Sequence, residues 1–198
     1  PSAESERAAA EMNAYFLQRI NDIRRTPKSH LLGQLVAVET EDGQLDDEEL
    51  LSFCRLLLIA GNETTTGLIT ASARVFHEQP KILAQLKQRP ELSGPFVEET
   101  LRYYSPFSAT VRRTTKEVEL AGQTIGAGEL VLPLIASANR DERVFDAPDR
   151  FQIDRTPNPH LGMGFGIHFC LGAHLARLEG RVVVEQMAER YARVALAK

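Results

Sequence analysis

The chain has 198 residues, of which 43% are hydrophobic, 25% charged and only 7% aromatic. That suits one full domain or a large piece of one, and excludes disorder, collagen and a disulfide scaffold. A formal net charge of −4 gives no general attraction to nucleic acid or to an anionic membrane. Nowhere do the ~18 uninterrupted apolar residues of a transmembrane helix occur. Two cysteines, Cys54 and Cys170, are too few for a disulfide framework and point to a reducing compartment, the cytoplasm. The opening stretch PSAESERAAAEM starts at Pro1 and lacks the basic start and apolar middle of a signal peptide. A chain opening this way is expected to have lost something in front of it.

The first half reads as helices. Ala8 to Arg25 carries apolar residues at helical spacing and stops at Thr26-Pro27. Leu31 to Val38 follows, leading into the polar turn ETEDGQ. Asp46 with Glu49 resembles a capping box, and no proline interrupts the chain from there to His77, enough for a helix of ~45 Å. Its middle, LLLIAGNETTTGLI, is apolar on nearly every side and is expected to run through the centre of the fold. Shorter helices are expected over Pro80–Gln88 and Pro95–Tyr104, each with proline near its start. Strand-like runs then cover Thr110–Thr114, Val118–Leu120, Gln123–Ile125 and Glu129–Ile135, separated by Ala-Gly and Gly-Ala-Gly turns. A loop rich in Pro, Asn and Gly spans Pro157–Gly166, and a last amphipathic helix runs from Leu171 to about Val194. The class is mainly α with a small β part. With no repeat, low-complexity tract or linker, residues 1–198 read as one structural unit.

The strongest chemical signal is the run Gly164-Phe165-Gly166-Ile167-His168-Phe169-Cys170-Leu171-Gly172. Alternate glycines free the backbone to fold tightly and to approach something flat or bulky. A cysteine just before a helix sits where amide N–H groups and the positive helix end favour a thiolate, a good ligand for iron. Two other readings stay open at this point. Cys170 is a buried small hydrophobe beside a glycine turn, or His160, His168, Cys170 and His174 form a zinc-binding structural module.

The run resembles the haem-ligand loop of cytochrome P450 monooxygenases of the soluble bacterial type, Phe-Gly-x-Gly-x-His/Arg-x-Cys-x-Gly. It matches at Gly164, Gly166, His168, Cys170 and Gly172. Met163 replaces the leading phenylalanine, a soft apolar neighbour for the haem, and Phe165 sits where the family varies. The resemblance implies Cys170 as axial ligand of the iron of haem b and His168 as a contact to a haem propionate.

Three further motifs follow the family's order. Glu99-Thr100-Leu101-Arg102, alone, reads as a solvated pair one helical turn apart, with Glu98 at i,i+4 from the same arginine. In the family Glu-x-x-Arg is locked by an arginine of a Pro-x-Arg-Phe segment, here Pro148-Asp149-Arg150-Phe151. The resemblance therefore gives Glu99, Arg102 and Arg150 a structural role. Ala60-Gly61-Asn62-Glu63-Thr64-Thr65 reads alone as a polar spot on a buried helix, bent by glycine and threonine. The resemblance makes Ala60 and Gly61 part of the haem and oxygen groove. Glu63 and Thr64 become the acid–alcohol pair that binds dioxygen and relays protons. Arg112 matches the propionate-binding arginine, with Arg113 competing. Phe107, Ser108, Ala109, Thr110 and Val111 would line the substrate side, a mixed and barely polar set suggesting an apolar or lightly oxygenated substrate. Cys54 matches nothing and reads as a helix-packing residue.

The resemblance covers essentially the whole chain but only the later half of the family's pattern. The early segment that roofs the pocket and supplies a further propionate arginine, and the last strands, are missing. The implied fold is an incomplete cytochrome P450, and the exposed helix faces carry an aggregation risk. The implied activity is monooxygenation with O2, electrons coming from NAD(P)H through a ferredoxin or flavodoxin. The rival to it is a non-catalytic haem-binding remnant or sensor.

Overall fold

The computed structural model describes residues 2–40 and 43–195. In chain order they form α1 (Ala3–Arg25), α2 (Leu31–Val36), β1 (Glu39–Thr40), β2 (Gly43–Gln44), α3 (Asp47–Glu78), α4 (Pro80–Gln88), a 3-10 turn (Pro90–Leu92) and α5 (Ser93–Tyr104). Then come β3 (Arg112–Arg113), β4 (Val118–Leu120), β5 (Gln123–Ile125), β6 (Leu130–Val131), α6 (Ile135–Ala138), a 3-10 turn (Gly166–His168) and α7 (Ala173–Arg190). The chain divides into two compact units, residues 1–62 and 63–198, and α3 belongs to both.

In the first unit, α1 starts five residues before Ala8. The Ser2 hydroxyl caps it, accepting from the Ser5 N–H at 3.2 Å, with Glu4 and Glu6 favourably placed in the first turn. The capping box of α3 forms as read: Asp46 Oδ1 accepts from the Glu49 N–H at 2.8 Å, and Glu49 Oε2 accepts from the Asp46 N–H at 2.9 Å. Ile20, Ile23, Leu50 and Cys54 are buried. Burial pushes the Cys54 thiol above its ordinary pKa, in line with a packing role. Over the apolar middle of α3, Leu56, Leu58 and Ile59 are 58%, 50% and 58% exposed. From Leu68 onward one face of α3 is buried again, at Leu68, Ala71, Ser72, Val75 and Phe76, where neighbouring elements cover it.

In the second unit, the later part of α3 packs with α4, α5 and α7 around Leu68, Val75, Phe76, Leu83, Phe96, Val97, Leu101 and Val184. The Phe76 and Phe96 rings stack at 5.1 Å, 18° apart. Gly180 of α7 lies where a Cβ would come within 2.8 Å of Leu68 Cδ2 and 3.3 Å of Val97, so the glycine permits this three-helix approach. The β part is small. β4 and β5 form a hairpin through Ala121-Gly122, whose φ values of +51° and +76° suit a two-residue turn of the hand that matches strand twist. β3 pairs antiparallel with β6. The expected strand Glu129–Ile135 is cut short: Pro133 has no N–H to extend a ladder, and Ile135–Ala138 turns into α6. Likewise α7 starts at Ala173 and ends at Arg190, where Tyr191 adopts an extended backbone. Among the described residues no helix is long and apolar enough to cross a membrane.

Gly180→Ala should lower stability by about 1–3 kcal/mol through overpacking. Gly61→Ala should raise it by about 0.5–1 kcal/mol through helix propensity, since a Cβ there meets nothing within 4 Å. Urea midpoints moving the same way for both would contradict this packing.

Candidate functional site

The site is hung from α5. Glu99 and Arg102 have no solvent exposure, and their fork-to-fork pair measures 2.8 Å for both Nε to Oε2 and Nη2 to Oε1. The remaining guanidinium hydrogens go to the carbonyls of Asn139 (2.9 Å), Pro148 (2.8 Å) and Arg150 (3.1 Å). Glu99 also accepts from the Gln152 N–H at 2.8 Å, from Arg155 Nε at 3.1 and 3.2 Å and from Asn158 Nδ2 at 3.3 Å. The pair, which taken alone reads as solvated, is thus dry and fully satisfied.

The third member of this lock is Arg155, a correction to the expected Arg150. Arg155 is nearly buried and also donates to the carbonyls of Asp146, Ala147 and Arg150. Arg150 gives only its carbonyl, and its side chain is exposed. The available signal was a second arginine five residues further along the same segment, and chain geometry decides which one turns inward.

Glu98 faces another way from Glu99. Its carboxylate accepts from Arg177 Nε at 2.7 Å and Nη2 at 2.9 Å, and lies 3.1 Å from His160 Nε2. His160 Nδ1 accepts from the Gly162 N–H at 3.1 Å, so Nε2 carries the proton shared with Glu98. Partial burial alone would raise the Glu98 pKa, but His160 and Arg177 outweigh it and hold the carboxyl at about 2. Arg177 is raised in turn, first by its hydrogen bond to Glu98 and further by the charge of that carboxylate, against the opposing effect of burial. The i,i+4 contact of Glu98 with Arg102 does not form, because Arg102 spends every donor elsewhere. His160, Arg177 and Asn139 went unread as a network. Asn139 bridges Ser105 Oγ (2.9 Å) and the Leu161 N–H (2.7 Å).

From Leu161 the chain enters the cysteine loop. The Cys170 N–H donates to the Met163 carbonyl at 2.8 Å, and the buried Met163 side chain joins the core. Gly164 has φ +75°, and a Cβ there would meet the His168 carbonyl oxygen at 2.6 Å, so this turn requires glycine. Gly172 caps α7. Cys170 is exposed, which removes the reading of a buried small hydrophobe. Phe165, Ile167 and Leu171 beside it are 82%, 97% and 75% exposed. One soft sulfur donor amid bare apolar side chains on a glycine-tightened turn fits a flat, apolar, iron-bearing ligand such as haem. Zinc through His168, Cys170 and His174 fits poorly: among the described residues no three metal-binding side chains converge, and His160 is engaged with Glu98.

The other expected residues are placed as follows. His168 is exposed at the end of the 3-10 turn. Glu63 and Thr64 are exposed on α3, and the neighbouring Thr65 hydroxyl donates to Glu179 of α7 at 3.3 Å. One turn on, a Cβ at Gly67 would lie 3.1 Å from Pro106, which brings the start of Phe107–Val111 against α3. Ser108 and Thr110 bond along the Pro133–Ala136 segment, and Phe107 and Val111 are exposed. Arg112 is exposed and donates to Thr110 Oγ1 (2.9 Å) and the Val111 carbonyl (2.8 Å), while Arg113 binds the Gly128 carbonyl. Ala60 and Gly61 lie on the part of α3 that belongs to the first unit.

Helices around a buried Glu-x-x-Arg lock, joined to an exposed cysteine turn, fit a haem-binding scaffold, and the chain's similarities to known proteins point the same way. The sequence profile of the family described as Cytochrome P450 matches residues 73–194, and the chain belongs to that family. It is similar to Cytochrome P450 109 of Bacillus spizizenii, 46% identical over 178 residues, covering 90% of this chain and 44% of the relative. It is also similar to Cytochrome P450 monooxygenase PikC of Streptomyces venezuelae, 42% identical over 196 residues, covering 98% and 47%. Among solved structures, CYP109E1 from Bacillus megaterium in complex with testosterone superposes with a TM-score of 0.90 at 42% identity, covering 95% of this chain and 52% of that one. The chain therefore spans about half the length of the relatives it matches, and its fold is an incomplete cytochrome P450 fold.

Arg155→Ala should cost about 3 kcal/mol, the scale of breaking a buried ionic contact, whereas Arg150→Ala should stay within about 0.5 kcal/mol. Equal losses in chemical denaturation would refute the assignment. A lowered folded-state pKa stabilises above the unfolded value. The Glu98 contribution should thus be full above the ordinary glutamate pKa of 4.5 and fade as pH falls towards about 2. Glu98→Gln should flatten that part of the stability–pH curve.

Proposed function

We propose that residues 1–198 are the C-terminal haem-binding part of a single cytochrome P450 domain. The whole protein would be a monooxygenase inserting one oxygen atom of O2 into an apolar or lightly oxygenated small organic molecule. The observation that carries this reading is the exposed Cys170 on its glycine-tightened turn, framed by bare apolar side chains. Bound haem b would supply one-electron and dioxygen chemistry, which Cys170 would tune as its thiolate ligand.

The chain's own residues then divide the work. Cys170 would supply the sulfur ligand to the haem iron. Gly164 and Gly172 let the backbone approach, and Phe165 offers an apolar face. His168 and Arg112 hold the propionates, while Ala60 and Gly61 leave room on α3. Glu63 and Thr64 hold and pass protons. Glu99 and Arg102 keep the scaffold in one arrangement. Phe107, Ser108, Ala109, Thr110 and Val111 line the substrate side. Their mixed, barely polar character agrees with the testosterone held by the Bacillus megaterium neighbour. Electrons arrive singly from a ferredoxin or flavodoxin fed by NAD(P)H, in the cytoplasm.

The decisive measurement is the spectrum of the reduced, carbon-monoxide-bound protein after haem reconstitution. A thiolate ligand places the main band far to the red of a histidine ligand, and Cys170→Ala should abolish it. Failure to take up haem, or a band unchanged in that variant, overturns the reading. Substrate hydroxylation with added redox partners then separates an enzyme from a passive haem binder.

A further inference from the structure

Cys170 sits between two arms of chain. The arm before it runs from His160 to Met163, whose carbonyl accepts the Cys170 N–H at 2.8 Å. The arm after it is α7, which begins at Ala173 and carries Arg177 one turn in. Both arms end on the same side chain. Glu98 Oε2 is 3.1 Å from His160 Nε2 and 2.9 Å from Arg177 Nη2, and Oε1 is 2.7 Å from Arg177 Nε. His160 has little freedom of its own, because its side chain is 3% exposed and its Nδ1 is fixed by the Gly162 N–H at 3.1 Å.

We propose that Glu98 is a positioning residue for Cys170, a single carboxylate that closes both arms of the cysteine loop through His160 on one side and Arg177 on the other. The charge-assisted bonds on each arm are of the strong kind. With both arms held, the Met163–Cys170 hydrogen bond stays closed and the sulfur keeps one direction. What the clasp does for a haem ligand rests on the reading of Cys170 given above; the holding of the loop does not.

The test is amide hydrogen exchange on the full 198-residue chain, without haem. Glu98→Gln should speed exchange of the Cys170 amide by about tenfold or more, leaving amides near Val75 of α3 unchanged. His160→Ala and Arg177→Met each open one arm and should give smaller increases, and Arg177→Lys, which keeps the charge, should recover part of the protection. These variants decide the matter if Glu98→Gln fails to fold. Cys170 exchange equal to that of the unaltered chain, or rising only together with the α3 amides, refutes the clasp. On the haem-loaded chain, Glu98→Gln should shift part of the carbon-monoxide band from the thiolate position to the blue. If the unaltered chain shows no thiolate band, the haem reading fails while the exchange result stands. If it does show one, and Glu98→Gln changes neither band nor exchange, the clasp fails alone.

Discussion

Two opposite charges held entirely out of water set the frame of this structure. Desolvating Glu99 and Arg102 costs several kcal/mol per ion, so the pair persists only if every remaining donor and acceptor finds a partner. That condition is met by the chain around it. Three backbone carbonyls, from Asn139, Pro148 and Arg150, take the outer guanidinium hydrogens. Those carbonyls lie in a stretch with almost no regular secondary structure. There the arginine fork does for residues 139–158 what a ladder of backbone bonds does for a sheet. A lysine has three donors and no planar fork, and would leave carbonyls orphaned.

Features set by near neighbours were legible in the sequence. The Asp46–Glu49 capping box, the Ala121-Gly122 turn and the glycine turn before Cys170 each depend on residues a few positions apart, and each formed. The partners of Glu98 and Glu99 were not legible in the same way. Spacing puts Glu98 at i,i+4 from Arg102, yet the outcome depends on segments more than fifty residues away. Arg155 displaced Arg150 for the same reason: both lie on one segment, and only the path of the chain around Asp146–Pro148 decides which guanidinium meets Glu99. The strand Glu129–Ile135 failed at Pro133, a breaker whose effect was visible in the sequence but outweighed there by the apolar run.

The long helix shows the limit of periodicity as evidence. An apolar stretch reports what a helix can bury, while coverage depends on what is packed against it. Along α3 apolar side chains are bare at Leu56, Leu58 and Ile59 and buried at Leu68, Val75 and Phe76, where α4, α5 and α7 supply the opposing surface. Gly180 shows how tight that surface is, since its missing side chain is what admits Leu68 and Val97 together. The site depends on this contact, because α7 carries both Arg177 and the helix start that follows Cys170.

Adjacent carboxylates on α5 make a division that follows from helix geometry. Successive side chains point about 100° apart, so Glu99 turns into the dry interior while Glu98 reaches the half-exposed edge where α7 and the His160 arm meet. The first cannot lose a partner without stranding a buried charge, which makes the frame close to all-or-none. Water can partly replace the partners of the second, so its grip is graded. Two neighbouring glutamates thus take different tasks from one turn of helix: Glu99 fixes the frame, and Glu98 ties the start of α7 to the His160 arm.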